Sequence, residues 1–320
     1  GSAIISGSLA TTGSVEFGYF EDVAAAWSSG GALITSTRES AGAGTQTAGL
    51  AFGGRTPTLV SCTEEYNGSS WSAGGALITA RYALAGAGTQ DAGLAFGGNV
   101  SGFESTCTEE YNSTSWSAGG ALINARCALA GAGTQDAGLA FGGNAPFGTT
   151  NCTEEYNGTS WSAGGSLIND VRELAGAGTQ NAGLAFGGNE SGFLSCTEEY
   201  NGSTWSAGGA LSITRTGLAG AGTQNAGLAF GGYAYSPISI NRCTEEYDGS
   251  SWSSGVALIN ERLYHAGAGT QNAALAIGGL SSGFNFFACT EEFTGVSSSL
   301  TKTFDYSCTT GAVILSQVSA

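Results

Sequence analysis

The sequence has no methionine, one histidine and three prolines in 320 residues. Its charged fraction is 11%, under half the usual quarter, and only nine residues are Lys or Arg. Each shortage excludes something. One histidine leaves few options for a His-based metal site or a Ser-His-Asp triad. Scattered basic residues and a net charge of −16 exclude phosphate-neutralising nucleic-acid binding, and an acidic surface would repel anionic membranes. No apolar run approaches 18 residues, so membrane insertion by a helix is not expected. The start, Gly1-Ser-Ala-Ile-Ile-Ser-Gly, shows no basic-then-apolar secretory pattern. With the initiator missing, the chain reads as processed or as a piece of something longer. Few prolines also exclude collagen, although 55 residues are glycine. Disorder is excluded by 41% hydrophobic residues and by 6 Trp, 11 Tyr and 15 Phe.

What is present is a repeat. The six tryptophans, Trp27, Trp71, Trp116, Trp161, Trp205 and Trp252, are spaced by 44, 45, 45, 44 and 47 residues. Cys62, Cys107, Cys152, Cys196, Cys243 and Cys289 follow the same period and each opens Cys-Thr-Glu-Glu. The motif continues into Tyr66, Tyr111, Tyr156, Tyr200 and Tyr247, and into Phe293 in the last copy. Ala-Gly-Ala-Gly-Thr-Gln begins at Ala41, Ala85, Ala130, Ala175, Ala219 and Ala266, and each copy runs on to a double glycine.

One unit reads as four short strands. They are Leu-Ala-Gly-Ala-Gly-Thr-Gln, Gly-Leu-Ala-Phe, Cys-Thr-Glu-Glu-Tyr, and Ser-Trp-Ser continued through Ala-Leu-Ile-Thr. The Asn-Gly-Ser between the last two is hairpin-turn chemistry. No segment keeps a 3.6-residue apolar period over three turns. A period near 45 with four strands per unit is the blade of a β-propeller.

The residues resemble the kelch motif. Gly97 and Gly98 supply its double glycine, Glu64 and Tyr66 its Glu-x-Tyr, and Trp71 its tryptophan, with equivalents in the other units. Kelch repeats carry Pro-x-x-Arg after the tryptophan; here the proline is absent and Arg38, Arg81, Arg126, Arg172, Arg215 and Arg262 remain. The resemblance covers about residues 23 to 293. It implies an all-β, six-bladed kelch-like propeller with four antiparallel strands per blade. Because Trp27 precedes the first double glycine, an N-terminal strand at 24–34 closes the sixth blade. A seventh blade using residues 300–316 is the competing count. The expected organisation is an N-terminal attachment segment 1–22, a propeller 23–293 and a C-terminal β segment 294–320.

Inner strands of Gly and Ala let backbones approach closely, while Trp and Tyr fill the widening outer part. Alternation puts Cys62, Glu64 and Tyr66 on one face of the third strand, with Thr63 and Glu65 on the other. Six copies of Glu-Glu argue against catalysis, which needs one site. We expect one glutamate paired with the blade's arginine and the other solvated. Equivalent cysteines in neighbouring blades stand too far apart for disulfides and read as small buried apolar residues. No metal and no cofactor is expected. Copper-radical oxidases are kelch proteins too, but that resemblance implies several histidines this chain lacks.

Between the double glycine and the cysteine the units differ freely, at 55–61, 99–106, 144–151, 189–195, 233–242 and 280–288. These loops carry Phe103, Phe147, Phe193, Tyr233, Tyr235, Phe284 and Phe286. A constant scaffold with one divergent rim is the pattern of a recognition surface, and aromatics among Asn and Ser suit a glycan or a protein. Residues 4–22, with Ser6-Gly-Ser, Thr12-Gly-Ser and Phe17-Gly, resemble segments of structural proteins in marine tailed phages, cyanophages especially. That resemblance implies a virion component assembled in the host cytoplasm, contacting other virion proteins and a host receptor, as a homo-oligomer. The expected function is a non-enzymatic tail-fibre-like surface protein. The alternatives are a decoration protein without a ligand and, disfavoured by the lack of histidine, a glycan-active enzyme. The two chain ends are expected to pair as an anchoring module.

Overall fold

The computed structural model describes residues 15–235, 238–283 and 285–306. Every regular element in them is a β-strand. The chain divides into a compact unit of residues 26–295 and a second one formed by its two ends. In the latter, Val15–Val23 pairs antiparallel with Ser297–Tyr306, with a bulge between Tyr19 and Phe20. The expected pairing of the ends is therefore present. The rest of the expected C-terminal β segment, 307–320, lies outside the described residues. Residues 300–306, which the competing seven-blade count would use, belong instead to this two-stranded ribbon.

The larger unit holds six four-stranded antiparallel sheets. Sheet I comprises Ala41–Thr45, Ala48–Phe52, Thr63–Tyr66 and Trp71–Ala73, in that order. Sheets II to V repeat this pattern, beginning at Ala85, Ala130, Ala175 and Ala219. Sheet VI takes Ala266–Thr270, Ala273–Ile277 and Thr290–Thr294, and its fourth strand is Ala26–Ser29 from the other end of the chain. Trp27 stands opposite Phe293 there, as Trp71 stands opposite Tyr66 in sheet I.

Four sets of contacts join each sheet to the next, and three of them run unbroken through all six. In the inner strands, a Cβ on Gly42 would lie 2.7 Å from the Gly267 carbonyl oxygen, and one on Gly86 2.7 Å from that of Gly42. The same approach recurs at Gly131, Gly176, Gly220 and Gly267, each against the preceding inner strand. Only glycine fits that spacing. Gln90 Nε2 donates to the Gly49 and Tyr66 carbonyls of the preceding sheet, and Gln46 closes the series by donating to Ala274 and Phe293. Each tryptophan indole N–H donates to a threonine hydroxyl one sheet back, as from Trp116 to Thr63 at 2.9 Å and from Trp71 to Thr290 at 2.9 Å.

The fourth set is incomplete. Tyr111 donates its hydroxyl to Glu65 at 2.6 Å, Tyr200 to Glu155 and Tyr247 to Glu199 at the same distance; Tyr156 reaches Glu110, and Tyr66 reaches Glu292. The second glutamate of each motif is thus not the solvated residue the sequence led us to expect. It is half-buried and clamps the following sheet. Phe293 has no hydroxyl to complete the sixth clamp.

The first glutamate is buried and takes the expected arginine in four units: Arg81 with Glu109, Arg126 with Glu154 at 3.1 Å, Arg215 with Glu245 at 2.9 Å and Arg262 with Glu291 at 2.5 Å. Arg38 and Arg172 depart from that expectation. Each sits one residue late, so Thr37 and Val171 occupy the buried position and both arginines face elsewhere. Glu64 and Glu198 then keep the backbone N–H donors of Ile34 and Thr35, and of Ile168 and Asn169.

Two further expectations change. The fourth strand ends three residues in, at Ala73 and its equivalents, rather than running through Ala-Leu-Ile-Thr. Beyond it the chain crosses to the next sheet, where Gly75 N–H donates to Tyr111 and Leu77 is buried. The repeat cysteines are free and half-buried rather than core residues.

Candidate functional site

Just before each inner strand lies a tripeptide that differs in every unit: Arg38-Glu-Ser, Tyr82-Ala-Leu, Cys127-Ala-Leu, Arg172-Glu-Leu, Thr216-Gly-Leu and Leu263-Tyr-His. Its middle residue is left-handed throughout, with φ of 55° at Glu39, 51° at Ala83, 52° at Ala128, 55° at Glu173, 60° at Gly217 and 54° at Tyr264. Five of the six are not glycine, a conformation L-residues avoid. Hydrogen bonds hold them there. Ala83 N–H donates to the Glu39 carbonyl at 2.8 Å, Ala128 to Ala83 at 2.7 Å, Glu173 to Ala128 at 2.8 Å, Gly217 to Glu173 at 2.9 Å and Tyr264 to Gly217 at 2.9 Å. Glu39 N–H donates back to Tyr264 at 2.8 Å. The six residues form a closed ring of backbone bonds around the axis that the inner strands surround.

The ring frames a cavity of about 240 Å³. Its walls include Glu39, Tyr82, Arg172, Glu173, Tyr264 and His265. Counted along the ring, Glu39 and Glu173 are three positions apart and stand on opposite sides. Glu39 is paired with Arg55, whose guanidinium lies 4.3 Å above the Tyr82 ring centre. Glu173 accepts from the Thr216 hydroxyl at 2.9 Å. The Arg172 guanidinium makes no ion pair and no hydrogen bond among the described residues. Burial, then the charges of Glu173 and Glu39, hold the Tyr264 hydroxyl well above the usual tyrosine range. Burial pushes the Cys127 thiol up to about 11, with the Glu104 charge adding to it, so it is a thiol and not a nucleophilic thiolate.

His265 stands where four other units place leucine and packs on Phe230, ring centres 5.5 Å apart. It is 5% exposed, and neither ring nitrogen has a hydrogen-bond partner of normal geometry. Burial, with Arg262 and Arg215 nearby, lowers its pKa far below the ordinary value, so it is neutral. Among the described residues no three His, Cys, Asp or Glu side chains gather as a metal site would require.

The variable loops belong to the same rim. The residue preceding each ring member bridges to the first residue after a double glycine: Arg38 to Arg55, Tyr82 to Asn99, Cys127 to Asn144, Arg172 to Asn189 and Leu263 to Leu280. In sheet V the bridge widens into a small sheet of Arg215–Thr216, Tyr233–Tyr235 and Ile238–Ile240. Of the rim residues named from the sequence, Phe193 meets Tyr233 and Tyr235 edge-on, with centroids 5.6 and 6.0 Å away, joining two neighbouring loops. Phe286 lies under the Arg38 guanidinium at 5.4 Å. Phe103 and Phe147 stand alone and exposed, and Phe284 lies outside the described residues. None of the described ones lines the axial cavity.

Of the cavity residues, sequence reading names Arg172 only as a repeat arginine and assigns none to a site, although a signal existed. The tripeptide before Ala-Gly-Ala-Gly varies as much as the loops do, inside segments that otherwise scarcely change.

No protein-family model matches the chain, and no curated protein matches it. Among solved structures, that of YjhT superposes with a TM-score of 0.70 at 13% identity, covering 84% of this chain and 99% of the other. YjhT is a β-propeller, and the likeness shows that this chain has a propeller fold.

Proposed function

We propose that the protein is a non-enzymatic, closed six-bladed kelch-like propeller whose variable rim binds a receptor on a cell surface. The blade count is supported by the glutamine, tryptophan and inner-glycine contacts, each of which returns from sheet I to sheet VI. The receptor reading is carried by one observation. Sequence variation gathers on a single rim, where neighbouring loops join through Phe193, Tyr233 and Tyr235. Tyr235 and Ile238 keep 65% and 66% exposure there. Aromatic faces beside polar loop residues fit a host glycan or protein.

The setting we propose is a phage particle, as a tail fibre or similar surface protein in contact with other virion proteins and present in several copies. Its support is the sequence resemblance of residues 4–22. In that setting the paired chain ends serve as the attachment. Binding of the purified chain to host cells or lipopolysaccharide tests the reading. We expect Phe193→Ala with Tyr235→Ala to abolish binding and leave the melting temperature within a few degrees. Binding that survives both substitutions removes the rim from the mechanism, and release of reducing sugar would make the protein an enzyme.

A further inference from the structure

We propose that the axial cavity is a separate binding site for one neutral sugar ring. The receptor reading supplies its purpose, but the physical claim stands without it.

The scaffold argues for a site. Each first strand repeats Ala-Gly-Ala-Gly-Thr-Gln, and the bonds between sheets are repeated around the ring. A packing role would be met by one repeated tripeptide, as Leu84, Leu129, Leu174 and Leu218 meet it at the third position. The first two positions vary, with only Arg-Glu recurring, and all six middle residues together with Tyr82, Cys127 and Arg172 line one cavity. Five of the six middle residues are non-glycine and held at positive φ, the kind of backbone strain that gathers at functional sites.

The chemistry selects the ligand. Carboxylates at Glu39 and Glu173 only accept hydrogen bonds, and the Arg172 guanidinium only donates. A small anion meets two carboxylates across the ring. A small cation meets an arginine that no carboxylate neutralises. An apolar ligand would leave Arg172 without a partner. A hydroxyl group both donates and accepts, so vicinal hydroxyls satisfy both kinds of wall. Tyr82 and Tyr264 add aromatic surface for the C–H face of a sugar. The volume, about 240 Å³, falls below the range of drug-sized pockets and suits a single ring.

The test is calorimetric and ligand-observed NMR titration of the full chain. The probes are D-glucose, D-galactose, D-mannose and N-acetyl-D-glucosamine, with sulfate and tetramethylammonium as charged controls. We expect at least one neutral sugar to bind with a millimolar Kd. Glu173→Gln and Arg172→Ala should each weaken it tenfold or more, and Phe193→Ala with Tyr235→Ala should leave it unchanged. Tyr264→Phe, which keeps the ring and its packing, is the further variant if Arg172→Ala unfolds, with the same loss expected. Four outcomes overturn the proposal: no sugar binding, binding indifferent to the cavity variants, loss on the rim substitutions alone, or preferential binding of either ion. Failure of the receptor reading shows separately, as cell binding that survives the rim substitutions.

Discussion

Trp27 donates its indole N–H to the Thr244 hydroxyl, 3.2 Å away and 217 residues later. The donor lies in the first strand of the larger unit, and the acceptor in sheet V. The same tryptophan packs on Phe230 and Phe293 at 5.2 and 5.0 Å, so a strand from one chain end completes a sheet built at the other. Trp27→Ala removes both the bond and the packing. We expect a loss of about 3–5 kcal/mol in denaturant unfolding, the usual cost of truncating a buried aromatic. Hydrogen exchange should rise first in Ala26–Ser29 and Thr290–Thr294. Uniform loss of protection would show that this junction is no weaker than the others.

The missing sixth clamp can be restored. Phe293→Tyr would set a hydroxyl against Glu246 as Tyr247 is set against Glu199. We expect a gain of about 0.5–1.5 kcal/mol, one net hydrogen bond. Glu246→Ala in that background should cancel the gain, and should cost little in the natural sequence.

The same clamps predict alkaline sensitivity. Burial, and then hydrogen bonding to glutamate, push Tyr111, Tyr156, Tyr200 and Tyr247 up to about 12 from an ordinary 10.0. A raised folded pKa means the native state holds its protons more tightly than the unfolded chain. This contribution is therefore complete below pH 10 and is lost as pH rises from 10 to 12. Melting temperature should fall steeply across that window, together with the appearance of phenolate absorbance. Tyrosines that titrate near 10 without unfolding would contradict it.

The buried arginine is dispensable in a way its glutamate is not. Sheets I and IV keep the glutamate, satisfied by backbone N–H groups, with Thr37 or Val171 in the arginine's place. Arg81→Val should therefore cost less, at about 1–2 kcal/mol, than the 3–5 kcal/mol usual when one partner of a buried pair is removed. Glu109→Ala, which strands Arg81 and the N–H groups of Ile78 and Thr79, should cost that full amount. Chemical denaturation of both variants decides it.

Ala128 is held at φ 52°, in the left-handed region. Ala128→Gly should raise stability by about 0.5–1 kcal/mol, because relieved strain outweighs the added freedom of the unfolded chain. A lowered melting temperature would mean that the ring carries no strain.

How much of this the sequence disclosed depends on the kind of information. Strand number, order and the strand from the N-terminal end follow from the register of Trp27 to Trp252, because a period of 45 is a local property repeated. The alternation in Thr63-Glu64-Glu65-Tyr66 likewise separates the side chains facing one neighbouring sheet from those facing the other. The partners across sheets were not legible. Nothing local shows that Gln90 spans to Gly49, or that Glu65 awaits a tyrosine 46 residues on. The one-residue offset of Arg38 and Arg172 was visible as spacing, but its meaning depends on the ring it lines. Phe193 and Tyr235 stand out because their loops vary conspicuously; Glu39, Glu173 and Tyr264 vary in a short stretch beside an invariant strand and carry no signal of their own.

Gly31, Gly75, Gly120, Gly165 and Gly209 would each place a Cβ 2.0–2.4 Å from a carbonyl in the following sheet's outer turn. The sixth equivalent is Val256, 43% exposed, because sheet VI has no such turn; its third and fourth strands come from opposite ends of the chain. Five turns and one seam thus occupy equivalent places, and the seam differs only in being cut. Circularly permuted chains opened at the Asn67, Asn112, Asn157 or Asn201 turn, with residues 295 and 25 bridged by a short linker, should assemble the same sheets. Only the glycine facing each new opening would become free to change.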